Sequence, residues 1–172
     1  MTGRYRAPEP LADHHELDGF ECRSSEQTEW LRRYARQSAS TGTTKVFVVT
    51  GTESPAVVAY YGWCMAQLST IAAPARLRRG AGRYPQPVAL LARLGVGVSH
   101  EGRGLGAGLL QDVFARLVEL SDDIGCRGLL VHAESTEARD FYLHLVPELE
   151  ESPTDPLHLV LLMKDIRRTI RR

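Results

Sequence analysis

Residues Leu91–Gln111 read LARLGVGVSHEGRGLGAGLLQ, and this stretch decides how the rest of the chain folds. It passes from an apolar, strand-like run into a glycine cluster and then into an amphipathic helical pattern. Gly102, Gly104, Gly106 and Gly108 fall at every second position across the junction. Glycine has no Cβ, so the backbone can turn sharply there and an anion can approach the amides closely. The following helix directs its unsatisfied N–H groups and the positive end of its dipole back into the turn. Strand, glycine turn and helix N-terminus together predict a cradle for a phosphate-bearing ligand. No Lys-Ser/Thr pair follows the glycines, as a nucleoside-triphosphate loop requires. The pattern is also not the G-x-G-x-x-G of a first Rossmann strand.

Upstream of this stretch, Ser24 and Gln27 form a capping-box pattern, and Trp30, Leu31, Tyr34 and Ala35 share one face of the expected helix. Lys45–Thr50 and Val57–Gln67 read as strands of a hairpin that turns at Gly51–Pro55. Residues 72–87 are rich in Pro, Gly and Ala, carry Arg76, Arg78, Arg79 and Arg83, and read as a long basic loop. The strand Val88–Val98 leads into the glycine turn. Beyond it, Leu105, Leu109, Val113 and Leu117 form a helical stripe that stops near Gly125. Leu129–Ala133 reads as a buried strand. Ala138, Phe141, Tyr142 and Leu145 form a helical stripe ended by Pro147, and Leu157–Met163 is the last strand. Residues 1–19 look irregular. The alternation of strands and helices places the chain in the α/β class, with residues 1–172 as a single domain and no internal repeat.

Composition agrees with a folded domain. The chain has 172 residues, 43% hydrophobic and 24% charged, enough to bury a sizeable core. No apolar run is long enough to span a bilayer, and Met1–Pro10 lacks the apolar segment of a signal peptide. Three cysteines, Cys22, Cys64 and Cys126, are far apart and odd in number, which argues against a disulfide framework and for a cytoplasmic setting. The formal net charge is zero, so affinity for a polyanion has to come from local patches such as 76–83 or Arg167, Arg168, Arg171 and Arg172. The six histidines show no metal-ligand spacing with the cysteines, and no metal site is expected.

Glu101-Gly102-Arg103-Gly104-Leu105-Gly106 resembles motif A of the GCN5-related N-acetyltransferases (GNAT), Gln/Arg-x-x-Gly-x-Gly/Ala, with Glu101 in the place of Gln or Arg. The resemblance widens along the chain. Pro10-Leu11 with His15, Phe20-Glu21-Cys22, Trp30-Leu31-Arg32-Arg33-Tyr34-Ala35, Val58-Ala59-Tyr60-Tyr61, Leu91–Val96, Leu129–Ala133 and Ala138-Arg139-Asp140-Phe141-Tyr142 follow in order. Together they resemble the acetyltransferase toxins of bacterial toxin–antitoxin pairs. Gln27-Thr28, Ala92 and Val146-Pro147 depart from the pattern. The resemblance implies the GNAT fold, a mixed, mostly antiparallel twisted sheet flanked by helices. It implies acetyl-CoA as cofactor, with its pyrophosphate at Arg103, Gly104, Leu105, Gly106, Ala107 and Gly108. It further implies aminoacyl-tRNA as substrate, a ribbon-helix-helix antitoxin as partner, and a homodimer.

Acetyl transfer from a thioester to an amine develops an oxyanion and then releases a thiolate. A backbone N–H near Val96, Gly97 and Val98 could serve the oxyanion. Tyr142, which spacing alone reads equally as a core residue of its helix, is placed by the resemblance as the acid that protonates the thiolate. A phenol with a pKa near ~10 still holds its proton at neutral pH. His100, Glu101 and Glu134 are candidate bases by type only. An acceptor α-amine with a pKa near ~8 reduces the need for one. Arg93, Arg78, Arg79 and Arg83 are the expected contacts to tRNA phosphates. The resulting expectation is an N-acetyltransferase toxin that blocks translation by acetylating aminoacyl-tRNA. The alternatives are an acetyltransferase for a small amine or protein N-terminus, and an inactive acyl-CoA-binding subunit.

Overall fold

The computed structural model describes residues 4–171. Among these residues seven strands form one sheet in the order β1-β2-β3-β4-β5-β7-β6. They are β1 (Glu9–Pro10), β2 (Lys45–Thr50), β3 (Val57–Leu68), β4 (Gln86–Val96), β5 (Gly128–His132), β6 (Glu150–Ser152) and β7 (Asp155–Leu162). β4 and β5 are parallel, whereas β1/β2, β2/β3, β5/β7 and β6/β7 are antiparallel. Six helices accompany them: α1 (Ser25–Arg33), α2 (Ala35–Thr41), α3 (Ala75–Arg78), α4 (Leu105–Asp123), α5 (Thr136–Leu145) and α6 (Met163–Ile170). This is the mixed, mostly antiparallel α/β fold expected. The chain forms two compact units, one reaching to Cys64 and including Ala92–Asp112, the other Met65–Leu91 with the chain from Val113 onward.

In the first unit, α1 starts where the capping pattern predicts. The Ser24 hydroxyl accepts the Gln27 N–H at 3.0 Å. Leu31 and Ala35 are buried against Val46, Val48, Phe20 and Tyr60. Period-two alternation puts Val46 and Val48 on that face of β2 and Phe47 on the other, where it stacks on its register partner Tyr61 at 5.1 Å. Two expectations are corrected here. Tyr34 does not join the buried face, because the helix breaks at it (φ −117°) and it is 50% exposed. Residues 1–19 are not irregular throughout, since Glu9–Pro10 pairs with Phe47–Val48 and Tyr5 bridges Gly51. Residues 1–3 lie outside the described chain.

In the second unit, Leu130, Val160 and Leu162 of β5 and β7 pack with Val88, Leu68, Leu77 and Ala73. The segment 72–87 is thereby corrected from a free loop. Its apolar residues Ala73, Leu77 and Ala81 are buried, and α3 lies within it. Val113, Phe114 and Leu117 of α4 are all buried, which bears out the helical stripe. Strand β6 and helix α6 were not expected. Of the C-terminal arginines, Arg167 and Arg168 lie in α6, whose Ile166 and Met163 are buried, Arg171 caps it, and Arg172 lies outside the described residues. All three cysteines are free.

Gly128 opens β5 opposite Leu162 of β7. A Cβ there would press into the Leu161 carbonyl oxygen, a backbone atom that cannot rotate away. Gly128→Ala is therefore expected to destabilise the fold by about 3 kcal/mol, at the upper end of the cost of overpacking. Urea unfolding followed by circular dichroism measures it, and a change under ~0.5 kcal/mol would contradict this packing.

Candidate functional site

The glycine turn begins where β4 ends. Gly102 and Gly104 adopt φ +74° and +80°, the left-handed region that L side chains rarely enter. Space for a Cβ is open at both, so the constraint is backbone conformation and not crowding. At the start of α4, Gly108 N–H donates to the Gly104 carbonyl at 3.0 Å. The preceding N–H groups, those of Leu105, Gly106 and Ala107, have no partner one turn back within the helix. The Leu105 side chain is buried, which anchors the first turn while its backbone forms the cradle. An anion is favoured at such a terminus by the amides and by the helix dipole.

Side chains around the turn are held by partners distant in sequence. Glu101, the irregular member of the motif, pairs with Arg23 at 2.9 Å. The pair is exposed and adds little stability, but it neutralises a carboxylate beside an anion site. Arg103 Nη1 donates to Tyr5 Oη at 2.7 Å. Since a guanidinium only donates, the Tyr5 hydroxyl passes its own hydrogen to His100 Nδ1 at 2.7 Å. His100 then keeps its ring hydrogen on Nε2. Burial lowers the His100 pKa, and Arg103 and Arg4 lower it further. Its acceptor nitrogen is engaged by Tyr5, so in this arrangement His100 presents Nε2–H and no free lone pair.

The strand end preceding the turn corrects one expectation. Gly97 N–H donates to Val58 O at 2.7 Å and Val98 N–H donates to Glu21 O at 2.9 Å. Neither is free for a thioester oxygen. Arg93, expected at the substrate, ion-pairs with Glu26 at 3.0 Å and lies 5.3 Å over the Trp30 ring. Trp30 in turn stacks on Tyr60 at 6.0 Å.

In the second unit, Tyr142 lies on α5, which Ser135 caps by accepting the Ala138 N–H at 3.1 Å. Tyr142 is 6% exposed. Burial raises its pKa well above the ordinary phenol value, and the Glu134 carboxylate raises it further. The proton is thus held firmly on Oη throughout the neutral range. His132 and His158, opposite one another on β5 and β7, stack with ring centroids 3.9 Å apart. Burial and His158 lower the His132 pKa, opposed by Asp155. Sequence spacing assigned this pair no role.

The remaining arginines divide. Arg78 folds back to donate to the Ala73 carbonyl at 3.1 Å, whereas Arg79 and Arg83 are exposed and make no such bond among the described residues. Arg76 is tied to buried Asp165 at 2.9 Å. Arg79 shares an open cavity of about 440 Å³ with Arg76, Arg127 and Lys164. Spacing could not reveal Arg127 and Lys164 here, because β5 and α6 bring them to 76–79 only in the folded chain.

Among the described residues, Glu9, His14 and His15 place possible metal-ligand atoms within 4.8 Å of one another. His15 Nδ1 accepts the Ala12 N–H at 2.9 Å, so its hydrogen sits on Nε2 and bonds Glu9 at 2.8 Å. The His15 nitrogen facing Glu9 is a donor, and the group reads as a hydrogen-bonded pair.

No family model matches the chain. A tRNA-acetylating toxin of Mycobacterium tuberculosis (strain ATCC 25618 / H37Rv) is 41% identical over 170 residues, 99% of each chain. The fold is shared with AtaT complexed with acetyl-methionyl-tRNAfMet (TM-score 0.86, 21% identity, 96% of this chain and 98% of that one). It is also shared with a mutant AtaT toxin bound to the C-terminus of the antitoxin AtaR and acetyl-CoA (TM-score 0.81, 20% identity, 98% and 99% covered).

The Tyr5–His100–Arg103 chain gives a direct readout. By NMR titration, His100 is expected to protonate below the ordinary histidine value of 6.5, and Arg103→Gln to move its midpoint upward by removing a nearby positive charge. Because the folded pKa lies below the unfolded one, the contribution of His100 to stability is present above the unfolded pKa and is lost as pH falls through the folded one. A midpoint above 6.5, or no movement in Arg103→Gln, would refute this arrangement.

Proposed function

Because the chain belongs to the family of acetyltransferase toxins that includes the mycobacterial tRNA-acetylating toxin, we propose that it acetylates the amine of aminoacyl-tRNA with acetyl-CoA and so blocks translation. The observation that carries this reading is the turn at Gly102 and Gly104, which leaves backbone N–H groups of α4 facing an open cradle. The residues present fit the pyrophosphate of acetyl-CoA: glycines where the backbone must be approached, Arg103 held in place by Tyr5, and Glu101 neutralised by Arg23. Acetyl-CoA, when bound, supplies the acetyl group as an activated thioester.

The chain's own groups take the following roles in this reading. Amides of Gly104, Leu105, Gly106, Ala107 and Gly108 hold the pyrophosphate. With the Gly97 and Val98 amides engaged by Val58 and Glu21, the backbone donor for the thioester oxygen is assigned to Val96. Tyr142 Oη holds the proton that the leaving thiolate requires, and burial keeps that proton in place. The acceptor α-amine is more weakly basic than a lysine side chain, so a fraction of it is neutral without a dedicated base. Arg79 and Arg83 are the exposed cations assigned to tRNA phosphates; Arg93 and Arg78 are already engaged within the protein.

No helix of the described chain is long and apolar enough to cross a membrane, and the proposed substrate places the protein in the cytoplasm. AtaT binds the C-terminus of its antitoxin AtaR, and we extend to this chain a cognate antitoxin, of the ribbon-helix-helix type, together with a homodimeric state and a single catalytic domain spanning 1–172.

The test is transfer of labelled acetyl from acetyl-CoA onto charged tRNA by the purified chain. Label is expected on the aminoacyl group, with Tyr142→Phe lowering kcat by about 10²–10⁴-fold, as for a lost general acid, and leaving acetyl-CoA affinity within about twofold. Unmodified aminoacyl-tRNA pools together with acetylation of a small amine would overturn the proposed acceptor.

A further inference from the structure

The cavity among Arg76, Arg79, Arg127 and Lys164 contains more positive charge than its surroundings balance. Arg76 is offset by Asp165 at 2.9 Å and Glu150 at 3.6 Å, and Asp165 also meets Arg168 at 3.7 Å. Those two cations and two carboxylates sum to zero. Among the described residues Arg127 has only neutral partners: its guanidinium donates to Gln86 Oε1, to Leu77 O at 3.1 Å and to Arg79 O at 3.3 Å. These bonds fix its position and leave its charge whole. Arg79 and Lys164 are exposed, and among the described residues neither has a carboxylate within ion-pairing distance. One fixed and two adjustable cations therefore line the same open cavity, with no carboxylate paired to them among the described residues. Such a group raises the local concentration of anions.

Arg127 immediately precedes β5, and Lys164 follows the end of antiparallel β7, where Leu162 pairs with Gly128. The pairing of these two strand ends brings the cations together. A nucleic acid carries a phosphate on every nucleotide and matches such a cluster.

We propose that Arg79, Arg127 and Lys164 form a phosphodiester-binding pocket that grips the tRNA backbone. This rests on the tRNA reading above and deepens it. The pocket gives affinity without sequence preference, since phosphate contacts position a nucleic acid and do not read its bases. Arg127 sets the place of one phosphate, while Arg79 and Lys164 close on it from the two flanking elements.

The test is binding of aminoacyl-tRNA to the full chain across a salt titration. Arg79→Gln combined with Lys164→Gln removes two exposed cations whose side chains make no hydrogen bond among the described residues, so the thermal midpoint should stay at the wild-type value. The double variant is expected to bind roughly tenfold more weakly, with the slope of log affinity against log salt reduced by about 1 to 2, while acetyl-CoA affinity is unchanged. Arg79→Lys is expected to keep the wild-type slope. Lys45→Gln, a loss of charge at the exposed first residue of β2, should also leave it unaltered. If the wild type acetylates tRNA but the double variant retains wild-type affinity and slope, the pocket is refuted and the acetyltransferase reading stands. If Lys45→Gln lowers the slope as much as the double variant does, the effect is one of overall charge and the pocket is again refuted. A wild type that binds no tRNA at all overturns the functional reading, and this inference with it.

Discussion

Two residues at positive φ, Gly102 and Gly104, carry the backbone from the end of β4 into α4. Any L side chain there would add strain of about 1–3 kcal/mol, because the left-handed region is closed to it by contact of Cβ with its own backbone. Nothing crowds either position, so the glycines serve the path of the chain and not its packing. The path matters because it sets where the first N–H groups of α4 point. Leu105, buried in the first turn, fixes the rotation of the helix about its axis. A cradle for an anion follows from these two facts together.

Charge around that cradle is arranged by tertiary contacts. Glu101 would oppose an anion, but Arg23 accompanies it. Arg103 would be a flexible cation, but Tyr5 holds it and thereby fixes the tautomer of His100. The same arrangement recurs in the second unit, where buried Asp165 takes Arg76 and leaves Arg79 and Lys164 facing the cavity. An arginine in a cluster is therefore no guide to which guanidinium is available. The neighbours that neutralise it decide, and those neighbours are 67 to 89 positions away for Arg76–Asp165, Arg93–Glu26 and Arg23–Glu101.

That separation explains what could be read from the sequence. The Ser24 cap, the β2–β3 hairpin, the α4 stripe and the glycine turn are local patterns, each set by residues within a few positions, and all four are present in the fold. The short β1 and β6 have no alternation to detect, since two or three residues are too few to show a period. Helix α6 was hidden because its sequence, MKDIRRTI, shows charge more clearly than the Met163 and Ile166 that bury it. The engagement of Arg78 and Arg93 and the occupied amides of Gly97 and Val98 depend on chain crossings that no spacing encodes. Tyr142 is singled out by the resemblance and not by its spacing, which marks a core position of its helix, and the fold does bury it there, where the phenol keeps its proton more firmly than a free tyrosine would.

Everything proposed for the chemistry depends on the turn being the acetyl-CoA cradle, and calorimetric titration of acetyl-CoA into the wild type and into Gly104→Val tests it most directly. The wild type is predicted to bind. Gly104→Val is predicted to keep its far-ultraviolet dichroism while losing at least about tenfold in affinity, as a valine forced out of positive φ re-aims the α4 amides. Equal acetyl-CoA affinity in the two proteins would contradict the cradle.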